Sequence, residues 1–401
     1  MSKNSYDYLI IGAGVVGLTV AFELKERFPS VRIGILDKEV NAGLHASGRN
    51  SGVLHSGIYY GSNTLKAKVC SAGATRMMDF AKEYSIPYSR SGKVIVAVSE
   101  KELPTMERLL RNATENGVRA WHIDEKELHE IEPHAVQGPA AIYSPDTAVI
   151  DSLAVINRLV ILLERRGVKF LWGHAFRKTG GLGEIATDHG KLSYGYLFNC
   201  AGAYADVVAR NFGLANDYSL VPFKGIYWKL RPEAEHLVRA NIYPVPDIDL
   251  PFLGVHLTRT IKGDVYVGPT AIPALGRENY GLIEGIQPLE AAGVGYRLTR
   301  MYLSNRYNFR HMAHLELSKY LKHNFLAAAQ RLLPSITAAD MVPTSKSGIR
   351  PQLVNLREGK LEMDYIFQHT DRSTHVLNAI SPAFTSSFAF AEMIVNNSNR
   401  A

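Results

Sequence analysis

Three glycines and one acid supply the first recognisable chemistry. Gly12, Gly14 and Gly17 stand in Gly-x-Gly-x-x-Gly spacing directly after the apolar run Tyr8 to Ile11. Asp37 follows about 20 residues after the last of them, where a second apolar run, Val31 to Leu36, ends. Gly12 permits a tight turn, Gly14 lets a pyrophosphate approach the backbone, and Gly17 lets the next helix pack closely on its sheet. The free N–H groups and positive dipole end of that helix favour an anion. The Asp37 carboxylate accepts hydrogen bonds from a ribose hydroxyl and repels a 2′-phosphate, so the pattern points to an adenosine diphosphate moiety. Val16 in the helical turn and Lys38 beside the acid complete the candidate nucleotide contacts. The alternative is an ordinary βα turn, against which strand, helix and acid all in register argue.

The fingerprint does not separate NAD from FAD. The next stretch, Gly43 to Tyr60, is rich in glycine, serine and histidine and carries no charge run. Small residues at Ser47, Gly48, Ser51, Gly52 and Gly57 let backbone approach a bulky ligand, and Arg49 and Asn50 offer donors to phosphate or ring carbonyl oxygens. This suits a flavin lying over a loop.

These groups need a scaffold, and the chain supplies two kinds of segment in alternation. Strand, glycine turn, helix (Leu18 to Phe28) and strand open it. Ser152 to Arg166 reads as a helix with Leu153, Ile156, Val160 and Leu163 on one face, stopped by Gly167 and followed by a strand from Val168 to Trp172. Between such units, alternating runs such as Gly225 to Leu230 and Asp264 to Gly268 read as antiparallel strands. The expected fold is α/β (α+β). A Rossmann-like nucleotide domain (1–90, 145–220, 345–401) is interleaved with an antiparallel-sheet substrate domain (91–144, 221–344). No linker or internal repeat divides them.

Composition excludes several classes. In 401 residues, 46% are hydrophobic and 21% charged, too apolar for a disordered chain. Two distant cysteines, Cys70 and Cys200, give neither a disulfide framework nor a cysteine zinc site. His122 with His129, and His311 with His314, lack companion ligands, so no metal is expected. No apolar run reaches 18 residues and no signal or lipidation motif is visible, which predicts a cytoplasmic protein, soluble or peripheral on the inner face of a membrane. The net charge of +7 is partly concentrated between Tyr296 and Arg331, where Arg297, Arg300, Arg306, Arg310, Lys319, Lys322 and Arg331 face one acid, Glu316. This basic, amphipathic segment 296–331 reads either as a dock for an anionic membrane or as a solvated helix pair packed on its own domain. No nucleic-acid module accompanies it.

The run Ser47 to Tyr60 resembles the flavin loop of FAD-dependent oxidoreductases of the D-amino-acid-oxidase type, and among them the L-2-hydroxyglutarate dehydrogenase/oxidase group. Further matches are Lys66 to Cys70, Ser91 to Ala97, Asn199 to Ala203, Leu250 to Arg259, Gly348 to Arg350 and Ser381 to Ala383, so the resemblance is full-length. It implies non-covalent FAD and a substrate sheet roofing the flavin. The implied reaction oxidises L-2-hydroxyglutarate to 2-oxoglutarate, with electrons passed to a quinone, another respiratory acceptor or oxygen. A related amino-acid, amine or glycerol-3-phosphate oxidising enzyme is the alternative.

The implied roles fall on named residues. In such a reaction the hydrogen on C2 leaves with its electron pair while a base takes the hydroxyl proton. His55, inside the flavin loop, is the candidate base because an imidazole suits proton transfer near neutrality. Arg350 resembles a carboxylate-binding arginine, its planar fork matching two oxygens. For the distal carboxylate the candidates are His256, Arg259 and Lys346, with Tyr266 as hydroxyl donor. Phe176 is expected to meet the adenine through its backbone, and Ala201 and Gly202 to line the cofactor. Thr385 and Ser386 open a helix whose N–H groups could face the flavin C2 carbonyl.

Overall fold

The computed structural model describes residues 4–247 and 252–398, so Leu250 and Pro251 of the quoted motif lie outside the described residues. The continuous apolar runs become parallel strands because both their faces are covered. Ser5–Ile11 is central, paired with Ile33–Asp37 on one side and Gly190–Asn199 on the other. Lys169–Trp172 extends the first side, and Ser373–Asn378 with its antiparallel partner Ile366–Thr370 extends the second. Helices Val15–Arg27, Leu65–Glu83, Ser152–Arg165 and Ala383–Asn396 share one apolar core with this sheet. Asp151 caps the third of them by accepting the N–H groups of Leu153 and Ala154. Its buried stripe is Val155, Ile156, Leu159 and Leu163; Leu153, expected on that stripe, instead leans over the loop at Gly43 and Gly48.

The second sheet has ten strands. Its middle runs Met341–Asn355, Tyr218–Leu230, Val265–Gly268, His256–Arg259, Asn241–Pro244, Lys93–Ala97. Side chains alternate across it. Val94, Val96, Ile242, Leu257, Val265 and Val267 face one way, into a core with Phe325, Leu332 and Leu333. Lys93, Tyr243, His256 and Tyr266 occupy the alternate positions and face the other way. The boundaries expected at 221 and 345 both fall inside strands of the longest ladder, Tyr218–Leu230 with Met341–Asn355. Residues 345–361 therefore run in the second sheet, and the chain rejoins the first only at Ile366.

The basic segment forms helices Pro288–Ser304, Phe309–Ser318 and Lys322–Gln330. Val294, Met301, Phe309 and Met312 pack against Val221 and Phe223 of the sheet. Lys319 is buried in an ion pair with Glu316, so part of the basic excess is neutralised internally. Leu289, Tyr296, Leu303 and Tyr307 are exposed on the same segment. Among the described residues no helix is long and apolar enough to cross a membrane.

Candidate active site

The nucleotide cradle is made of backbone. Gly12 has φ +104°, and a Cβ there would lie 2.4 Å from the Cys200 carbonyl oxygen; one on Gly17 would lie 2.0 Å from that of Gly12. Only glycine fits either position. The helix that follows starts at Gly14 with no side-chain cap and no acid in its first turn, which leaves its positive end for an anion. Ser47 reaches the same end, its hydroxyl accepting the Val15 N–H at 2.9 Å. Asp37 braces the turn by accepting the Ala13 N–H at 2.7 Å and the Glu39 N–H at 2.9 Å. Val16 lies in the first helical turn, and Ala201 and Gly202 close the opposite side, the latter at φ +54°. These features fit a dinucleotide.

The loop that continues from Ser47 is self-bonded and tied down at both ends. The Asn50 amide donates to the Ser47 carbonyl at 2.6 Å and its oxygen accepts the Gly52 N–H at 2.8 Å, while Ser51 accepts from Val53. Thr385 accepts the His55 N–H at 3.2 Å, which fixes the loop to the C-terminal helix, and Ser386 bonds the Tyr365 hydroxyl at 2.7 Å. Arg49 spends its Nε on the Leu44 carbonyl and stacks its guanidinium 4.1 Å from the Tyr280 ring centre. Phe176 lies on a side hairpin of the nucleotide sheet, its ring 6.3 Å from Phe212.

A short turn-rich stretch between strand Ile272–Pro273 and helix Pro288–Ser304 clasps this half. Tyr280 bonds His45 Nδ1 at 2.8 Å, and Glu278 receives Lys38 and the Tyr204 hydroxyl at 2.8 and 2.7 Å. Thus the segments after Asp37, around Arg49 and after Gly202 all meet the same few residues. Glu39, His45 and Glu278 lie within 4.8 Å of one another, with the Lys38 ammonium already among them supplying positive charge.

Beyond the loop lies a group of basic side chains withdrawn from water. His55 Nδ1 is inaccessible and makes no hydrogen bond among the described residues. Burial first, then the charges of Lys93, His256 and Arg350, push its pKa down to about 3, so the imidazole is neutral and open to a proton. His256 stacks on Tyr243 with centroids 4.0 Å apart and donates Nδ1–H to the Gly254 carbonyl at 2.9 Å, which leaves Nε2 with its lone pair. Burial holds its pKa down at about 4. Arg350 rests 5.2 Å from the Phe252 ring, and the Arg49 carbonyl would lie 3.0 Å from a Cβ at Gly348, so the roof strand presses against the flavin loop.

The structure gathers His55, His256 and Arg350 as expected residues of one cluster. Lys346 and Tyr266 sit beside it, the ammonium 4.2 Å from the Tyr266 ring and 5.5 Å from Tyr227. Arg259 does not join. It alternates with His256 and Thr258 along its strand and donates instead to the carbonyls of Glu235 and Val238 at 2.8 and 3.0 Å. Lys93 and Lys66 were not foreseen. Burial lowers both to about 7. Lys93 sits within a quoted motif, yet a lysine preceding the apolar run Val94 to Ala97 reads as a strand-end surface charge; only its parity with Tyr243 and His256 reveals the inward direction.

The family model for FAD dependent oxidoreductases, the DAO family, matches residues 7–397. The chain belongs to this family. FAD is therefore its cofactor, in keeping with the glycine cradle and loop. It is 36% identical to the mitochondrial L-2-hydroxyglutarate dehydrogenase of Nematostella vectensis, over 98% of this chain and 90% of that one. It is 36% identical to the enzyme of that name from Indibacter alkaliphilus (96% of each) and 34% to the human mitochondrial one (98% and 89%). Among solved structures it resembles L-alpha-glycerophosphate oxidase from Mycoplasma pneumoniae, with TM-score 0.76 at 20% identity over 99% of this chain and 94% of that one. Glycine oxidase from Geobacillus kaustophilus gives 0.73 at 18%, over 98% and 94%. At these identities the structural likeness is one of fold.

Proposed function

We propose that the protein oxidises L-2-hydroxyglutarate to 2-oxoglutarate. One observation carries the reading: Lys93, buried, and Arg350, half-buried, lie beside His55, and among the described residues neither makes an ion pair with a carboxylate. Glu316, the acid that acts on Arg350 from farther away, is already paired with Lys319. Withdrawing an unpaired charge from water costs on the order of several kcal/mol, so two basic side chains left without a carboxylate near one base argue for a ligand that brings two negative charges. A diacid does so. The names of the relatives supply the hydroxyl at C2 and its hand.

FAD, when bound, supplies the acceptor for the hydrogen that leaves C2 with its electron pair. The chain's own residues do the rest. Arg350 holds the carboxylate next to C2 through its planar fork and so fixes the orientation of the carbon between it and the loop. His55 takes the hydroxyl proton as the C–O double bond forms, and His256, with Nδ1–H committed to Gly254, offers Nε2 to the substrate. A negative substrate also offsets the cationic repulsion that weakens His55 as a base, so the proton affinity rises when the site fills.

The proposal extends to the acceptor. Electrons pass to a quinone, and helices 288–330 bring the protein to the anionic inner leaflet, Leu289, Tyr296, Leu303 and Tyr307 entering the interface while Arg300, Arg306 and Arg310 meet headgroups. Exposed apolar residues interleaved with cations support this contact. Co-sedimentation with vesicles of anionic lipid, and none with neutral vesicles, is the expected behaviour.

Turnover of a substrate panel with a dye acceptor tests the reaction. L-2-hydroxyglutarate is expected to be oxidised at least a hundredfold more efficiently than its D enantiomer, glycerol 3-phosphate, glycine or proline. A preference for any of those overturns the assignment.

A further inference from the structure

We infer that Lys93 grips the carboxylate remote from C2 and thereby makes the site selective for a diacid over a monoacid. The inference rests on the dicarboxylate reading above and adds to it the residue that reads the second charge.

Lys93 is fully buried, 0% exposed, and among the described residues its Nζ makes no hydrogen bond. What surrounds it is aromatic. The ammonium lies 4.4 Å from the Tyr59 ring centre and 5.2 Å from that of Tyr243, faces that favour a cation without neutralising it. Besides Tyr59 and Tyr243, whose hydroxyls burial keeps protonated, the titratable neighbours are Cys70 on helix Leu65–Glu83, His55 on the flavin loop and His256 on the roof strand. Cys70 is buried with its pKa pushed up to about 12 and both histidines are neutral, so among the described residues no anion answers the lysine.

The other cations are less suited. Arg259 points to the opposite face of the sheet and is bonded to carbonyls. Lys66 has Asp364 in its field, and Lys346 has Asp264. Lys93 has neither. Its strand, Lys93–Ala97, is bonded to Asn241–Pro244 on one side and Ala140–Ser144 on the other, so the base of the side chain is fixed in a sheet interior. Arg350 belongs to a distant strand of the same sheet. Although four strands separate theirs in the sheet order, both cations act on His55 and on His256, so they converge on one site.

A consequence concerns pH. With its pKa lowered to about 7 by burial, Lys93 is largely neutral in the empty site above that value and must take up a proton when a dianion binds. Diacid affinity should therefore be full below pH 7 and decline toward tenfold per unit above it, while a monoacid held by Arg350 shows no such decline.

The test is calorimetric binding of glutarate and of butyrate, neither of which is oxidised, to the FAD-loaded enzyme between pH 6 and 9. Wild-type protein is expected to prefer glutarate by tenfold or more at pH 6.5 and to take up a proton on binding it at pH 8. Lys93→Met, close in volume and uncharged, is expected to erase the preference and the proton uptake while butyrate affinity stays within about threefold. Lys93→Met that retains the glutarate preference, or loses both ligands equally, overturns the role of Lys93 and leaves the dicarboxylate reading standing. Wild-type protein that does not prefer glutarate overturns both. Should the variant fail to retain FAD, the wild-type pH series decides: a preference that does not fall above pH 7, or no proton uptake, contradicts the proposal.

Discussion

The nucleotide half and the roof sheet both recognise negative charge, by opposite means. The first uses backbone: a helix start without a cap at Gly14 and positions at Gly12 and Gly17 that admit no Cβ. The second uses long side chains, Lys93 and Arg350, set against tyrosine and phenylalanine rings and, among the described residues, paired with no carboxylate. A backbone site tolerates desolvation because its dipoles are fixed by the fold and carry no full charge. Side-chain cations in an apolar interior are strained by burial until a ligand arrives, which makes them selective.

The sharpest way to break the contrast is at Gly12. Gly12→Val forces a branched side chain into a φ of +104° and onto the Cys200 carbonyl, so the purified protein is expected to hold no FAD. Flavin absorbance of the protein checks this, and retained colour would show that the turn is not the cradle. Next in size is His55→Ala, which should slow flavin reduction by roughly two to four orders of magnitude with FAD still bound. An unchanged rate removes His55 as the base and turns attention to His256. Arg350→Lys keeps the charge and loses the fork, so KM should rise about ten- to a hundredfold with kcat altered far less. Steady-state kinetics reads that split. Smallest is Tyr280→Ala in the clasp, which removes one cation–π contact with Arg49 and one hydrogen bond with His45. Together these are worth about 1–2 kcal/mol, so FAD should dissociate about tenfold faster by fluorescence recovery, and an unaltered rate would mean the clasp does not retain the cofactor.

The same contrast explains what could be read from the chain. A backbone site has glycine spacing as its signature, so turn, helix Val15–Arg27 and Asp37 were legible, as was the loop from Ser47. Arg350 and His256 were legible through motifs. Lys93 was not, because a lysine at the start of an apolar strand looks the same whether it faces water or the interior, and register decides which. Arg259 failed for the converse reason, one residue of parity sending it to the far face. Domain limits at 221 and 345 fall inside strands because turn-type residues such as Pro222, Pro343, Ser345 and Gly348 lie within the long ladder, where they look like breaks in the sequence.

The most direct measurement is anaerobic mixing of the FAD-loaded enzyme with one equivalent of L-2-hydroxyglutarate while the flavin absorbance is followed. Bleaching of the flavin with one 2-oxoglutarate formed per flavin is expected. A flavin that stays yellow with the L enantiomer, or bleaches only with the D, would contradict the assignment.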